Sequence, residues 1–399
     1  MVKEPTFDNA MAFAADLIAI PGLSGEEGDV ARCVFQEMVA VGLEDVRVDD
    51  AGNVIGVARG CGDAPAAMLS CHLDVVAEGD HSEWEVPPFS GEVSDGFLHG
   101  RGAMDIKGPL ALQTYVAASM KGEAPGDVIV AHTVYEERGG LGMKHLLESG
   151  DVKPGVVIIG ESTHGDICIG HRGRAELEVV MTGVAGHASA PERAANALDL
   201  LSDVLLAVRD LAASQESDEV LGAASLIATM VDVLPQSRNV IPDQAIVALD
   251  WRILPHDDHE SLVKRVREAV ESRIQSVPDA LAYEVRMATE RQVTYTGIVA
   301  DRNLFTPGFL MDLSHPVVGA AARAVGQRGA ADEAAEVRPW TFATDGGWSR
   351  GVHGIPTIGF APGEERFAHT NRERLLVEEA RWGFERYPGL ISSVQTALN

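Results

Sequence analysis

The stretch Ala66–Asp74, AAMLSCHLD, decides how the rest of the chain is read. Ala66–Ser70 is a short apolar run of the kind that forms a buried strand, and His72 and Asp74 follow it at once. Outward from it, strand-like runs recur at Val54–Ala58, Asp127–Tyr135, Val156–Ile159 and Pro356–Phe360. Between and around them, Pro109–Met120, Gly142–Leu147 and Pro316–Val325 carry helical patterns. Two more helices are expected near the start, Asn9–Ala19, ended by Pro21-Gly22, and Gly25–Val41, with Val30, Val34, Met38 and Val41 at helical spacing. Strands alternating with helices predict an α/β domain with a mixed, mostly parallel sheet flanked by helices.

The middle of the chain has another rhythm. Arg174–Thr182 alternates as a half-buried strand and Ala194–Ala213 reads as a long amphipathic helix. Strands at Ser225–Val233 and Ala245–Leu254, a helix at Glu260–Gln275 and a strand at Leu281–Ala288 follow. The order β-α-β-β-α-β is the ferredoxin-like pattern, complete in itself. The chain therefore divides into an α/β domain built from both ends, 1–173 and 295–399, and a smaller inserted domain, 174–294.

Composition narrows the function classes. The 399 residues, 46% hydrophobic and 23% charged, exclude a disordered or collagen-like chain and are enough for two or three domains. A net charge of −28 disfavours nucleic acid and anionic membrane as partners, and an anionic substrate must meet local arginines or metal ions. Cys33, Cys61, Cys71 and Cys168 have no CxxC spacing and read as reduced thiols of a cytoplasmic protein. The apolar run Met11–Ile20 is too short to span a bilayer and contains Asp16.

Chemistry gathers where the strands end. His72 and Asp74, Glu136-Glu137, and Gly160-Glu161 each follow a predicted strand, and His369 follows the last one after a glycine-containing loop. Ligands of open α/β sheets bind beyond the carboxyl ends of the strands, so these groups face one rim. Asp105 joins them from just ahead of the Pro109–Met120 helix. Taken singly, each has an ordinary explanation: a structural histidine, an aspartate at a helix start, a solvated acidic turn. Together, two imidazoles and several carboxylates are ligand chemistry for Zn²⁺, Mn²⁺ or Co²⁺. In an extended segment Asp74 shares a face with His72 and can reach its imidazole. A carboxylate such as Asp105 can bridge two ions.

The segments Ser70–Val76, Gly100–Gly108, Glu136-Glu137, Gly160-Glu161 and Ala368-His369-Thr370, in this order, resemble the signature set of the M20 metallopeptidase/deacylase family. That family includes acetylornithine deacetylases, succinyl-diaminopimelate desuccinylases, aminoacylases, carboxypeptidase G2-like enzymes and peptidase T. Ser82-Glu83-Trp84 through Phe89-Ser90-Gly91, with Gly170–Glu176, is most similar to the YgeY-type hydrolase branch. The resemblance implies two divalent ions, zinc first, with cobalt or manganese sharing the donor set. It places His72 and Glu161 on one ion, Glu137 and His369 on the other, and Asp105 between them. Asp74 would orient His72, Glu136 would be the general base, and the Asp105–Ile106 peptide would be cis. His187, in Gly186-His187-Ala188-Ser189, would stabilise the oxyanion in a partner subunit's site, which implies a homodimer. Asn239 and Arg252 would bind the substrate's carboxylate, and Thr344-Asp345-Gly346-Gly347 would line the site.

The implied reaction is hydrolysis of an amide bond in a small N-acyl amino acid or dipeptide with a free carboxylate, by an ion-activated water. Two rivals stand beside it. One is a serine hydrolase, although Gly160-Glu161-Ser162-Thr163-His164 lacks the last glycine of a G-x-S-x-G elbow. The other is a catalytically silent metal-binding or scaffold protein of the same fold.

Overall fold

The computed structural model describes residues 2–274, 276–328 and 333–399. It divides into two compact units, each with its own hydrophobic core. One comprises the chain to His171, Gln292–Ala300 and Phe309–Asn399; the other comprises Arg172–Arg291 and Asp301–Gly308.

The first unit is built on a mixed sheet of eight strands among the described residues. Their order is Glu44–Val48, Val54–Ala58, Val128–Thr133, Ala67–His72, Val156–Ile159, Thr357–Gly359, Ile167–Cys168 and Val337–Arg338. The four strands from Val128–Thr133 to Thr357–Gly359 are mutually parallel, while Val54–Ala58 and Glu44–Val48 join antiparallel at one edge. Val54–Ala58, Ala67–His72, Val128–Thr133 and Val156–Ile159 are buried at every position, as strands covered on both faces must be. Their continuous apolar runs are the feature by which they are recognisable in sequence.

Several helices differ from expectation at their ends, for local reasons. The first runs Phe7–Ile18, opened by the Thr6 side chain accepting from the Asn9 amide. The helix expected at Pro109 starts at Lys107, and it is buried from Lys107 to Ala117, so it has no polar face to mark it. A helix at Val377–Thr396 was not expected at all, because Pro388 inside it, followed by Gly389, reads as a break. The edge strand Glu44–Val48 was missed too, being exposed or half-buried throughout.

The second unit has the antiparallel sheet order Ser225–Leu234, Gln244–Ile253, Gly173–Thr182, Ala282–Met287. Along Gln244–Ile253, Ala245, Val247, Leu249, Trp251 and Ile253 are buried and alternate with half-buried residues. Helices Leu201–Ala212 and His259–Arg273 supply Val204, Val208, Leu262, Val266 and Val270 to the same core. The expected helix Ala194–Ala213 is cut at its start. Ala195 exchanges both backbone hydrogen bonds with Val184, and Ala197–Leu200 forms a 3₁₀ turn before the helix proper. Gln275, the expected end of the second helix, lies outside the described residues.

The boundary 174–294 also differs from the packing. Residues 301–308 belong to the second unit because Phe305–Thr306 pairs with Ala175 and Arg174, and Glu176 donates its amide to the Leu304 carbonyl. Among the described residues no helix is long and apolar enough to cross a membrane, and all four cysteines are free.

Leu69 lies in the central sheet with no solvent exposure. Leu69→Ala should lower the unfolding free energy by about 2–5 kcal/mol in urea titration, whereas Val93→Ala, at a position 55% exposed, should change it by less than about 0.5 kcal/mol. Equal effects would contradict the assignment of the core.

Candidate metal centre

Three neighbouring parallel strands bring their ends to one edge of the first unit's sheet. His72 is the last residue of Ala67–His72, and Glu161 follows Val156–Ile159 after Gly160. A Cβ on Gly160 would stand 2.3 Å from the Cys71 sulfur and 2.7 Å from Gln113 Nε2, so glycine leaves room there for two buried side chains packed behind the site. Glu136 and Glu137 come after Val128–Thr133, through Tyr135, whose φ of 59° turns the chain. The buried Glu27 holds that turn by accepting the Tyr135 amide at 3.2 Å. Asp105 arrives on the loop ahead of helix Lys107–Ser119, and its peptide bond to Ile106 is cis. His369, also at positive φ, 60°, completes the group from the exposed side.

Two clusters result, sharing Asp105: His72, Asp105 and Glu161, and Asp105, Glu137 and His369. His72 Nε2 lies 3.2 Å from Asp105 Oδ1 and 3.3 Å from Glu161 Oε1. His369 Nε2 lies 3.1 Å from Asp105 Oδ2 and 3.1 Å from Glu137 Oε1. The two oxygens of one carboxylate thus face two different imidazoles.

Asp74 meets His72 chiefly through its backbone. The His72 Nδ1–H donates to the Asp74 main-chain carbonyl at 2.8 Å, while the carboxylate stands 3.6 Å away, beyond hydrogen-bond range. The carboxylate instead accepts the amides of Glu136 and Glu137 and the Ser24 hydroxyl, at 3.1, 3.2 and 2.6 Å. A single residue therefore orients the imidazole through its backbone and anchors the acidic turn through its side chain.

Electrostatics show how unbalanced this arrangement is without cations. Burial pushes Glu161 up to about 7 against the pull of His72, and burial, then the Asp105 charge, raises Glu137. Burial works against Asp105 too, but hydrogen bonds from His369 and His72 together hold it below the usual carboxylate range. Burial alone would depress His72; hydrogen bonds to Asp105 and Glu161 outweigh it and hold the imidazole well above its usual range. Hydrogen bonds to Asp105 and Glu137 carry His369 up to about 10. Glu136 is raised well above its ordinary value, by burial first and then by Glu161. Among the described residues its carboxylate has no hydrogen-bond or ion-pair partner.

The donor set fits two divalent ions. Ligand atoms about 2.0–2.1 Å from a tetrahedral zinc lie about 3.3–3.4 Å from one another. The nitrogen–oxygen separations in both clusters, 3.1–3.3 Å, are close to that spacing. Each cluster offers three protein ligands, leaving room for a water or substrate atom. A serine nucleophile does not fit. Ser162 is 2% exposed and donates to the Met104 carbonyl, and His164 is bonded to Glu379.

The remaining predicted residues lie in the second unit, and it separates them. His187 pairs with Val240, and the Ala188 amide donates to the Asn239 carbonyl at 3.0 Å, so His187 and Asn239 are neighbours. They adjoin the end of the sheet where Thr182 meets Gln244; Arg252 is at the other end, opposite Arg174. Residues 244 to 252 of one extended strand separate the two places by about 26 Å. Asn239 and Arg252 of one chain therefore do not meet on one carboxylate. Arg252 is half-buried and bonded to Asp250, its Nε 2.9 Å from Oδ1, and Arg174 holds the same carboxylate.

Sequence reading missed the residues that hold the ligands in place. Ser24 and Glu27 brace Asp74 and Tyr135, Thr133 donates to Asp345 at 2.8 Å, and Glu373 accepts the amides of Met104 and Asp105. The only available signal was Asp345 in the Thr344–Gly347 loop; the others act across long sequence separations with no local pattern.

Hydrogen bonds to the ligand carboxylates favour the protonated imidazoles, raising His72 and carrying His369 up to about 10, whereas ligation requires neutral imidazole. Adding Zn²⁺ or Co²⁺ at pH 7 should release at least one proton per ion, and affinity should fall as pH is lowered. Calorimetry in two buffers of different ionisation enthalpy counts these protons; binding with none released would contradict the ligand set.

Comparison with known proteins agrees with this geometry. The model of peptidase family M20/M25/M40 matches residues 68–393. The Escherichia coli protein YgeY is 32% identical over 367 residues, 91% of this chain and 88% of its own. A succinyl-diaminopimelate desuccinylase from Ruegeria is 33% identical over 251 residues, covering 60% of this chain and 63% of its own. In fold, aminopeptidase PepT from Bacillus cereus superimposes with a TM-score of 0.72 at 20% identity, over 98% of this chain and 99% of that one. The YXEP protein of Bacillus subtilis, described as a dinuclear metal-binding peptidase, does so with a TM-score of 0.70 at 15% identity, over 98% and 99%. By family model and by relatives spanning most of its length, the chain belongs to the M20 peptidase family and is a metal-dependent amidohydrolase.

Proposed function

We propose that the protein hydrolyses the amide bond of a small N-acyl amino acid or dipeptide that carries a free carboxylate. The observation that carries this reading is Glu136, a carboxylate beside two ligand clusters, raised by burial and tied to no partner among the described residues. The names of the relatives support the substrate class: a desuccinylase acts on an acylated amino compound, an aminopeptidase on a peptide.

His72, Asp105 and Glu161 would hold one divalent ion, and Asp105, Glu137 and His369 the other. Zinc suits these nitrogen and carboxylate donors, and cobalt and manganese share them. When bound, the pair would supply a water made acidic enough to ionise near neutral pH and would polarise the amide carbonyl. Glu136 takes the water's proton and returns it to the leaving nitrogen. A carboxylate with a raised pKa is suited to both halves of that transfer. Asp74 keeps Glu136 aimed by holding its amide.

His187 and Asn239, as neighbours, would serve the oxyanion and substrate of a partner subunit's site, while Arg252, at the far end of the same sheet, would take the substrate carboxylate with its bidentate fork. Arg174 keeps Asp250 neutralised when Arg252 turns to substrate. The edge strand Ser225–Leu234 supports a homodimer. It leaves Ile227, Met230, Val231 and Leu234 between 42% and 62% exposed, and a long apolar edge of this kind is normally covered.

Hydrolysis of N-acetyl, N-succinyl and N-carbamoyl amino acids and of dipeptides, with each metal and after chelation, tests the class. Activity should require both the metal and the free carboxylate; ester hydrolysis surviving metal removal would contradict it. Glu136→Gln should lower kcat by about 10²–10⁴-fold with metal content kept, and near-wild-type turnover would remove Glu136 from the role. Mixing inactive His187→Ala and Glu136→Gln subunits should restore about a quarter of wild-type activity, since about half the dimers are mixed and each has one complete site in two. If subunits exchange and nothing returns, His187 does not act across the interface.

A further inference from the structure

Glu373 is a fully buried carboxylate that takes no part in either ligand cluster. Its Oε2 accepts from Arg101 Nη1 at 2.5 Å, in an ion pair with side chains 3% and 0% exposed. Its Oε1 accepts two backbone amides at once, those of Met104 at 3.2 Å and of Asp105 at 3.1 Å. Arg101 also lies over the Trp84 ring, 5.2 Å from its centroid, and its second nitrogen donates to the Ala77 carbonyl. The loop carrying Asp105 is therefore gripped at both ends of one carboxylate: at Arg101, where it begins, and at the amides of its last two residues. Beyond it, Gly108 admits no side chain, because a Cβ there would stand 2.2 Å from the Ala103 carbonyl oxygen.

We infer that Glu373 is a positioning residue for the bridging carboxylate: its Oε1, by fixing the Met104 and Asp105 amides, sets Asp105 so that each of its oxygens can serve a different ion. The inference rests on the dinuclear reading above. The buried pair with Arg101 compensates two charges, which explains why a carboxylate can be buried there, but it is the acceptor and not the charge that orients Asp105. Because His369 lies only four residues before Glu373, one short segment supplies a ligand and fixes the orientation of the ligand shared with it. A bridging carboxylate must satisfy two ions at once, so a small rotation costs more there than at a terminal ligand. Partners that orient a ligand from behind in this way affect metal affinity by about 10–100-fold.

The test separates acceptor from charge. R101M/E373Q and R101M/E373M both remove the buried ion pair, but only the glutamine keeps an oxygen for the two amides. Each is stripped of metal, checked for folding by thermal melting, and titrated with Co²⁺ against a chelating indicator, beside wild type. The glutamine variant should bind two ions about as tightly as wild type. The methionine variant should bind its second ion about 10–100-fold more weakly, with its cobalt absorption changed to match. Equal behaviour of the two variants, both retaining or both losing the second ion, overturns the inference. Should the methionine variant fail to fold, Glu373→Asp keeps the charge for Arg101 and draws the acceptor back by one methylene. It should lose affinity for the second ion in the same range, and unchanged affinity overturns the inference. Wild type binding two ions while these variants behave as wild type leaves the dinuclear reading standing; wild type binding none removes that reading and this inference together.

Discussion

The carboxylate of Asp105 faces an imidazole with each of its oxygens, and nearly everything else at the carboxyl edge of the sheet is arranged around that fact. Glu161, Glu137 and Glu136 crowd the same small volume, all pushed above their ordinary range first by burial. Two imidazoles cannot neutralise so many carboxylates, and among the described residues no lysine or arginine forms an ion pair with them. Divalent cations solve that imbalance, and the spacing of the donor atoms suits them. The fold creates the problem and positions the solution, since parallel strands necessarily present their ends together.

Supports for the ligands form a second layer that is as specific as the first. Asp74 ties His72 to the turn carrying Glu136 and Glu137, Ser24 and Glu27 brace that turn from the N-terminal helices' side, and Glu373 grips the Asp105 loop. Glycine enters where backbone must pass close to backbone or to a side chain, as at Gly160 beside Cys71. Among the described residues the Glu136 carboxylate has no hydrogen-bond or ion-pair partner, which suits a group proposed to gain and lose a proton.

Four residues of the site, His72, Glu136, Glu137 and Glu161, were legible in the sequence because each comes at or soon after the end of a strand whose apolar run announces it, whereas Asp105 and His369 lie on loops. The central parallel strands were legible for the same reason, and the second unit because its alternation and its helices spell a complete pattern. What escaped was whatever depends on distant contact. Arg101 and Glu373 are 272 residues apart, and nothing near either one marks the pair. The Asp74 carboxylate was assigned by strand periodicity to His72, but the backbone of that residue took the hydrogen bond and freed the side chain for the turn. Arg252 and Asn239 were grouped by the family resemblance, and only the strand between them shows that they sit at opposite ends of one sheet.

The sharing of Asp105 between two ions can be tested most directly by anomalous diffraction at the absorption edge of the bound metal, in crystals of the protein loaded with Zn²⁺ or Co²⁺. Two peaks about 3.5–4 Å apart are predicted, one beside His72 and Glu161, the other beside Glu137 and His369, with the Asp105 carboxylate between them. A single peak at full metal loading, or two peaks of which only one touches Asp105, would contradict it.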